Sequence, residues 1–203
     1  MSARSGADVP GAAHQGAGPD PAHDAVGRRV LHVASGVVGP AAAALGPRAT
    51  PAFAGLVAAA AIAEWVRLYR PRARRALDRV AGAWFRPAEA SGISGATMLA
   101  VGYAVTWWLF PGPAAERAIV VTALADPVAA AVGTRFGGGR RKSWAGSAAC
   151  AAAAALVLLL SGSPGPVALG AAVVAAVAER APWRGVDNVV VPVCVGAVLR
   201  WAA

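Results

Sequence analysis

The chain is divided into a series of apolar runs, each nearly as long as a membrane helix. The runs hold 16 to 21 residues and few charges, and they lie at 30–46, 52–68, 94–110, 114–134, 144–160, 165–180 and 188–203. About 20 residues of α-helix cross about 30 Å of hydrocarbon. The pattern therefore predicts an all-α, polytopic integral membrane protein with about seven transmembrane helices.

The small share of charged residues supports this prediction. Charged residues make up 14% of the 203 residues and hydrophobic residues 57%, whereas a soluble domain carries about 25% charged residues. The two cysteines, Cys150 and Cys194, both lie in apolar runs, so a disulfide scaffold is excluded. Residues 1–27 have no apolar periodicity and are expected to form a disordered tail. Residues 28–203 then form one membrane-embedded domain.

The basic residues predict how the chain is oriented in the membrane. Three of them, Arg48, Arg117 and Arg200, fall on one side of the predicted spans. Fifteen fall on the other side: Arg28, Arg29, Arg67, Arg70, Arg72, Arg74, Arg75, Arg79, Arg86, Arg135, Arg140, Arg141, Lys142, Arg180 and Arg184. Basic loops stay in the cytoplasm, so a cytoplasmic N-terminus is predicted.

Three further expectations follow from the charge pattern. The net charge of +9 is spread between apolar runs instead of forming one patch, so nucleic acid is not an expected partner. No signal peptide is expected, because the first long apolar run begins only at Val30, and the expected location is the bacterial plasma membrane with the functional site at its cytoplasmic face. The arginine-rich segment 67–86 is compatible with an amphipathic helix on the membrane surface.

Acidic residues on the predicted inner side are the first functional candidates. An ionised side chain within a bilayer costs about 2.5–3.5 kcal/mol on insertion scales. Five acids lie within or beside the apolar runs at one predicted depth: Glu64, Glu89, Asp126, Glu179 and Asp187. Carboxylates bind Mg²⁺ together with phosphate oxygens, and nearby arginines can hold the remaining phosphate charge. The alternative is that acids such as Glu64 and Glu179 pair with neighbouring arginines and only fix helix ends.

Asp126 is the strongest of these candidates because Pro127 follows it. A proline disfavours helical geometry at the residue before it, so a broken helix is predicted there. An unwound carboxylate at membrane depth is tolerated against protein or a water-filled cavity. Asp187 lies directly before the last run. It is either a metal ligand or only the N-cap of the last helix. His32, in the first run, is either a packing residue or a proton acceptor at the inner surface.

A glycine-rich basic segment follows Asp126 and leads into the fifth run. Glycines let a backbone approach phosphate closely, and the N–H groups at the start of a helix favour an anion. The candidate nucleotide-binding residues are Gly133, Gly137, Arg140, Arg141, Lys142, Ser143, Gly146, Ser147 and, in the last run, Asn188. The alternative is a flexible basic turn that anchors the span.

Several blocks, in order from residue 28 to about 200, together resemble the CTP-dependent lipid-alcohol kinases. This family includes dolichol kinase, phytol kinase and the yeast-type diacylglycerol kinase. The matching blocks are Arg28-Arg29-Val-Leu-His32-Val-Ala-Ser-Gly36, Glu89 with Gly95-Ala-Thr97, Asp126 to Gly137, Arg141 to Ser147, and Glu179 followed by Asp187-Asn188-Val-Val-Val-Pro192. The distantly related CDP-diacylglycerol synthases carry a Gly-His signature that is absent here.

The resemblance implies transfer of the γ-phosphate of CTP, or of another nucleoside triphosphate, to the hydroxyl of a membrane lipid alcohol. A polyprenol, phytol or geranylgeraniol, and diacylglycerol are the expected lipids. Mg²⁺ is the expected cofactor, with Asp126 and Asp187 as ligands. Asp126, His32 and Glu179 are the expected catalytic residues, and the site is completed by Arg28, Arg29, Glu64, Glu89 and Thr97.

Two other functions stay open at this point. A phosphatidate-type cytidylyltransferase would make a CDP-lipid, and a small membrane transporter would do no chemistry. The expected partners are the lipid, the nucleotide and the bilayer, and a homodimer is considered as well. The preference for CTP follows from the resemblance alone.

Overall fold

The computed structural model describes residues 21–81, 92–137, 142–180 and 185–202, and within these ranges its regular secondary structure is entirely helical. Two short 3₁₀ segments, Ser35–Val37 and Gly46–Arg48, join the first three helices. The α-helices are α1 (Pro21–Ala34), α2 (Val38–Leu45), α3 (Ala49–Tyr69), α4 (Pro71–Ala81), α5 (Gly95–Leu109), α6 (Pro113–Phe136), α7 (Trp144–Leu160), α8 (Gly165–Glu179) and α9 (Asp187–Trp201). The predicted all-α class is confirmed.

The helix boundaries follow local sequence chemistry. Ser94 and Ser143 cap α5 and α7, since each hydroxyl accepts the N–H of the third residue after it. Gly46 ends α2 with a φ of 55°, a conformation that favours glycine. The first apolar run is divided between α1 and α2. Helix α1 begins at Pro21, inside the segment 1–27 that was assigned to the tail.

Pro127 does not break α6, which corrects the prediction of an unwound Asp126. Helix α6 is continuous from Pro113 to Phe136. A proline removes one backbone hydrogen bond and crowds the carbonyl of residue 123. Here Pro127 is buried, and α6 packs against α1, α2, α7 and α9. This surrounding contact keeps the helix continuous through the proline, and Asp126 lies within it.

The first two helices run antiparallel to α6. At one end, Arg29 Nη2 donates to Thr134 Oγ1 over 3.3 Å. Towards the other end, a Cβ on Gly39 would lie 2.8 Å from the carbonyl oxygen of Glu116. The chain then reverses at Gly46, and α3 packs on α5 instead of on α6.

Helix α3 runs antiparallel to α5, and α9 runs parallel to it. Trp108 Nε1 donates to the carbonyl of Thr50 over 3.4 Å, and the other end of the α3–α5 pair is joined through Glu64. A Cβ on Gly102 would lie 2.1 Å from the carbonyl oxygen of Asn188. Glycine therefore allows the backbones of α5 and α9 to touch, as small residues do between membrane helices.

The interior is built from small side chains and the outside carries large apolar ones. Fully buried alanines such as Ala118, Ala154 and Ala175 fill the space between α6, α7 and α8. Leu160 is 80% exposed and Val177 is 67% exposed. Exposure of large apolar side chains to water is unfavourable, so this exterior is suited to a lipid environment.

Two helical stretches in the described ranges are long and apolar enough to cross a membrane. They are Val26–Tyr69, which covers most of α1 together with α2 and α3, and Pro113–Phe136, which is α6. Only 17% of the most apolar 18-residue segment in the first stretch is buried inside the protein, whereas the core helix of a soluble protein is mostly buried. Helices α5, α8 and α9 have 15 residues each, about 22 Å of helix at 1.5 Å per residue. By length and composition, two stretches of the described residues can cross a membrane, and the seven-span topology stays a prediction.

Candidate functional site

One end of the bundle, here called the polar end, collects the starts of α1, α5, α7 and α9 and the ends of α3, α6 and α8. Asn188 Nδ2 donates to the carbonyl of Gly95 over 2.9 Å and so joins the starts of α9 and α5. Three of the five predicted inner acids, Glu64, Glu179 and Asp187, lie at this end, and Asp126 lies ten residues before the end of α6. Glu89 lies outside the described residues.

Lys142 joins two of these acids across three helices. Its Nζ lies 3.3 Å from Glu179 Oε1 and 3.2 Å from Asp187 Oδ2, and it also donates to the backbone carbonyl of Glu179. The three side chains are only 13% to 19% exposed. Lys142 precedes the cap of α7, Glu179 ends α8 and Asp187 opens α9. We call this group the lysine cluster. In it the Lys142 ammonium lies between two carboxylates, where a metal cation could also bind.

His32 and Asp126 form a second pair beside it. His32 Nδ1 lies 3.6 Å from Asp126 Oδ2, and the two side chains are 14% and 33% exposed. Ser35 Oγ donates to the carbonyl of His32 over 2.5 Å and shares a hydrogen bond of 2.9 Å with the hydroxyl of Tyr103. Ser35 stands in the first matching block, but nothing in the sequence pointed to Tyr103.

A buried thiol lies near the lysine cluster and Asp126. Cys150 is 1% exposed, and the charges of Glu179, Asp126 and Lys142 all act on it. Cys150 of α7 therefore lies within electrostatic reach of both the lysine cluster and Asp126. Cys150 was interpreted from sequence only as a small buried hydrophobe, because its neighbours along the chain are alanines.

The residues offer a divalent cation two carboxylates. Within the residues that the structure describes, no group of three or more His, Cys, Asp or Glu side chains could hold a metal ion. Mg²⁺ is usually held by one or two carboxylates and completes its shell with waters and substrate phosphates. Glu179 and Asp187, which already share one cation, fit that requirement. Asp126 and Asp187 have different basic partners, and their joint role as Mg²⁺ ligands stays a prediction.

The glycine-rich segment forms a tight contact between α6 and α7. Ser143 Oγ caps α7 by accepting from Gly146 N over 3.1 Å. A Cβ on Gly137 would lie 2.6 Å from Ser143 Cβ, and one on Gly146 would lie 3.0 Å from the carbonyl oxygen of Ala129. A Cβ on Gly133 would lie 3.3 Å from Ser143 Oγ. Glycine is therefore required here for helix packing, and its role towards phosphate stays a prediction.

Further basic side chains border this contact. Arg180 Nη1 donates to Ser147 Oγ over 3.2 Å, and its guanidinium lies 4.2 Å from the ring centroid of Trp144. From sequence, Arg180 was counted as a topology charge and as an alternative partner of Glu179. Arg29 reaches Thr134, next to Gly133, and Arg28 lies beside it in α1. Arg140 and Arg141 lie outside the described residues.

Glu64 belongs to a separate, buried cluster. Its Oε2 accepts from Ser94 N over 3.1 Å, from Ser94 Oγ over 2.7 Å and from Thr97 Oγ1 over 2.6 Å. Its Oε1 accepts from Arg67 Nε over 2.8 Å. Glu64 and Arg67 are 8% and 4% exposed. The structure shows Glu64 paired with a neighbouring arginine, which is the alternative noted from the sequence. The hydrogen bonds that Glu64 accepts from Ser94 and Thr97 join α3 to the start of α5.

Comparisons with protein-family models, with curated proteins and with solved structures found no match to this chain.

Proposed function

We propose that the chain is a membrane-embedded kinase that transfers the γ-phosphate of CTP, or of another nucleoside triphosphate, to the hydroxyl of a membrane lipid alcohol. The observation that carries the proposal is the lysine cluster, an ammonium held by two carboxylates at the polar end of an apolar bundle, with the His32–Asp126 pair in the neighbouring helices α1 and α6. Phosphoryl transfer depends mainly on positioning and on neutralising phosphate charge. Cations, carboxylates and a candidate proton acceptor in one place provide those functions.

In this proposal the bundle crosses a bacterial plasma membrane about seven times, with the polar end in the cytoplasm. The reversals along α1–α2, α3, α5 and α6 support it, as do the exposed leucines and valines of α7 and α8. The basic residues fall mainly at the ends that the positive-inside rule assigns to the cytoplasm. A lipid hydroxyl at the headgroup level would then lie at the same depth as the charged residues.

The lysine cluster is the proposed phosphate side of the site. Glu179 and Asp187 would hold Mg²⁺, which when bound neutralises charge on the β- and γ-phosphates. Lys142 would then leave the carboxylates and bind a phosphate oxygen, as an ammonium on a flexible stem can do. Arg180 and Asn188 lie beside the cluster and would orient the nucleotide.

The His32–Asp126 pair is the proposed acceptor side. The imidazole would take the proton of the lipid hydroxyl, and the Asp126 carboxylate would stabilise the imidazolium that forms. The hydroxyl oxygen then forms a bond to the γ-phosphorus while the bond from that phosphorus to the β-phosphate oxygen breaks. The products are a lipid monophosphate and a nucleoside diphosphate. The geometry favours Asp126 as the partner of His32.

The test is a product analysis with the purified protein in lipid nanodiscs. CTP labelled at either the α- or the γ-phosphate is supplied with Mg²⁺ and with phytol, geranylgeraniol, undecaprenol or diacylglycerol. We expect γ-label in a lipid monophosphate and α-label in CDP. In parallel reactions phosphatidate replaces the alcohol, and a CDP-lipid with released pyrophosphate there would instead identify a cytidylyltransferase. Absence of nucleotide consumption across the panel would overturn the enzyme proposal and favour a transporter.

A further inference from the structure

A short arginine-rich helix lies at the polar end, outside the site described above. Arg70 adopts an extended conformation, with φ −119° and ψ 90°, and so ends α3. Pro71 then begins α4, which suits the first position of a helix. Among the described helices, α4 packs mainly against α3.

Helix α4 and the residue before it carry a strong excess of positive charge. Residues 70–81 contain five arginines and a single acid, Asp78. Arg70, Arg72 and Arg75 are exposed. In the sequence, apolar residues recur at positions 73, 77 and 80, the spacing of an amphipathic helix. A basic amphipathic helix of this kind is suited to the boundary between headgroups and acyl chains.

An aromatic pair continues this surface onto α3. Trp65 and Tyr69 are 49% and 68% exposed, and their ring centroids lie 6.3 Å apart. The Arg70 guanidinium lies 5.1 Å from the Trp65 ring centroid. Tryptophan and tyrosine mark the headgroup level of a membrane protein. Arg67 faces the other way and is bonded to Glu64 inside the bundle, so it is not part of the surface.

We propose that Trp65, Tyr69, Arg70, Arg72 and Arg75 form a binding surface for anionic phospholipid headgroups. Basic segments next to a membrane helix attract anionic lipids, and a guanidinium can bind a phosphate through two parallel hydrogen bonds. The aromatic rings fix the depth of the surface and the exposed arginines supply the charge. The proposal rests on the membrane placement of the bundle and is independent of nucleotide chemistry.

The experiment reconstitutes the full chain into bilayers with trace spin-labelled phosphatidylglycerol or phosphatidylcholine. Electron paramagnetic resonance measures the fraction of each lipid immobilised by the protein. We expect the wild type to select phosphatidylglycerol, and the double variant R72Q/R75Q to lose that selectivity several-fold. High salt should have the same effect on the wild type, because exposed charges are screened. R72K/R75K keeps both charges and should keep most of the selectivity.

The matched control is R48Q/R200Q, which removes two exposed arginines from the opposite end. It should retain the selectivity of the wild type. Equal selectivity in the wild type and R72Q/R75Q, or an equal loss in both double variants, would overturn the proposal. Because the readout needs neither CTP nor lipid alcohol, its failure is distinguishable from failure of the kinase proposal.

Discussion

At the residue scale, the site consists of acids that each have a basic partner. Lys142 lies between Glu179 and Asp187, and His32 lies against Asp126. Two partly buried carboxylates near one another repel, and a cation between them lowers the energy of the ionised state. Removal of one partner leaves an uncompensated charge away from water, which costs more than the pair contributes.

Lys142→Gln should therefore destabilise the protein by about 1–3 kcal/mol. The melting temperature in detergent with EDTA measures this effect. Added Mg²⁺ should raise the melting temperature of the variant more than that of the wild type, because Glu179 and Asp187 can then accept the metal. The control is Arg135→Gln, which removes an exposed charge near the end of α6. Equal melting of Lys142→Gln and Arg135→Gln would contradict the importance of the lysine cluster.

Asp126→Asn should reduce phosphotransfer by about 10²–10⁴-fold, the usual contribution of acid–base catalysis. The amide keeps the shape of the carboxylate but cannot stabilise a charged His32. Turnover of labelled CTP is the measurement, together with membrane insertion by flotation, which should not change. Glu116→Gln is the control, since Glu116 lies on the same helix at the far end. Wild-type turnover in Asp126→Asn would remove this residue from the mechanism.

At the scale of elements, glycines decide which helices come into contact. Gly102 brings α5 against the start of α9, and Gly137 and Gly146 bring the end of α6 against the start of α7. These contacts lie at or near the polar end, so the same small residues that pack the helices also bring together the charged groups on them. Packing between membrane helices depends on such close approach because lipid offers no hydrophobic driving force.

Gly102→Ala should destabilise the protein by about 1–3 kcal/mol, the usual cost of overpacking. The new Cβ would lie 2.1 Å from a backbone oxygen of α9, so the helices must separate. Gly170→Ala is the control, because a Cβ there has open space around it and alanine is the better helix former. Thermal melting followed by circular dichroism should separate the two variants, and equal melting would show that α5 and α9 are not in close contact.

At the scale of the whole molecule, the bundle has a charged end and an apolar exterior. The far end carries reversals at Gly46, Gly112 and Gly162, each with a positive φ. The polar end carries more basic residues, among them Arg29, Arg67, Lys142 and Arg180, than the far end, where Arg48, Arg117 and Arg200 lie. The two ends therefore differ in charge as the two sides of an oriented membrane protein do.

This asymmetry predicts the sidedness of single cysteines. In a background with Cys150→Ser and Cys194→Ser, Ser161→Cys lies at the far end and Ile93→Cys at the polar end, and both positions are exposed. A membrane-impermeant maleimide added to intact cells should label Ser161→Cys. It should label Ile93→Cys only after the membrane is opened. Labelling of both from the same side would contradict the orientation.

Much of the fold could be predicted from the sequence because membrane helices are encoded locally. Apolar runs, serine caps and glycine turns lie within a few residues of the boundaries that they determine, and the run at 144–160 coincides with α7. The conformation around Pro127 was predicted wrongly. The local preference of a proline was overridden by the helices packed around α6.

By itself, the sequence determined the helical class and the residue types from which a site could be made. Only the tertiary structure decided their partners. It placed Lys142 between Glu179 and Asp187, set His32 beside Asp126, and joined Glu64 to Thr97 at the start of α5. Partners 33 to 94 positions apart in the chain meet because antiparallel helices bring them to one level, and no local pattern of residues encodes that distance.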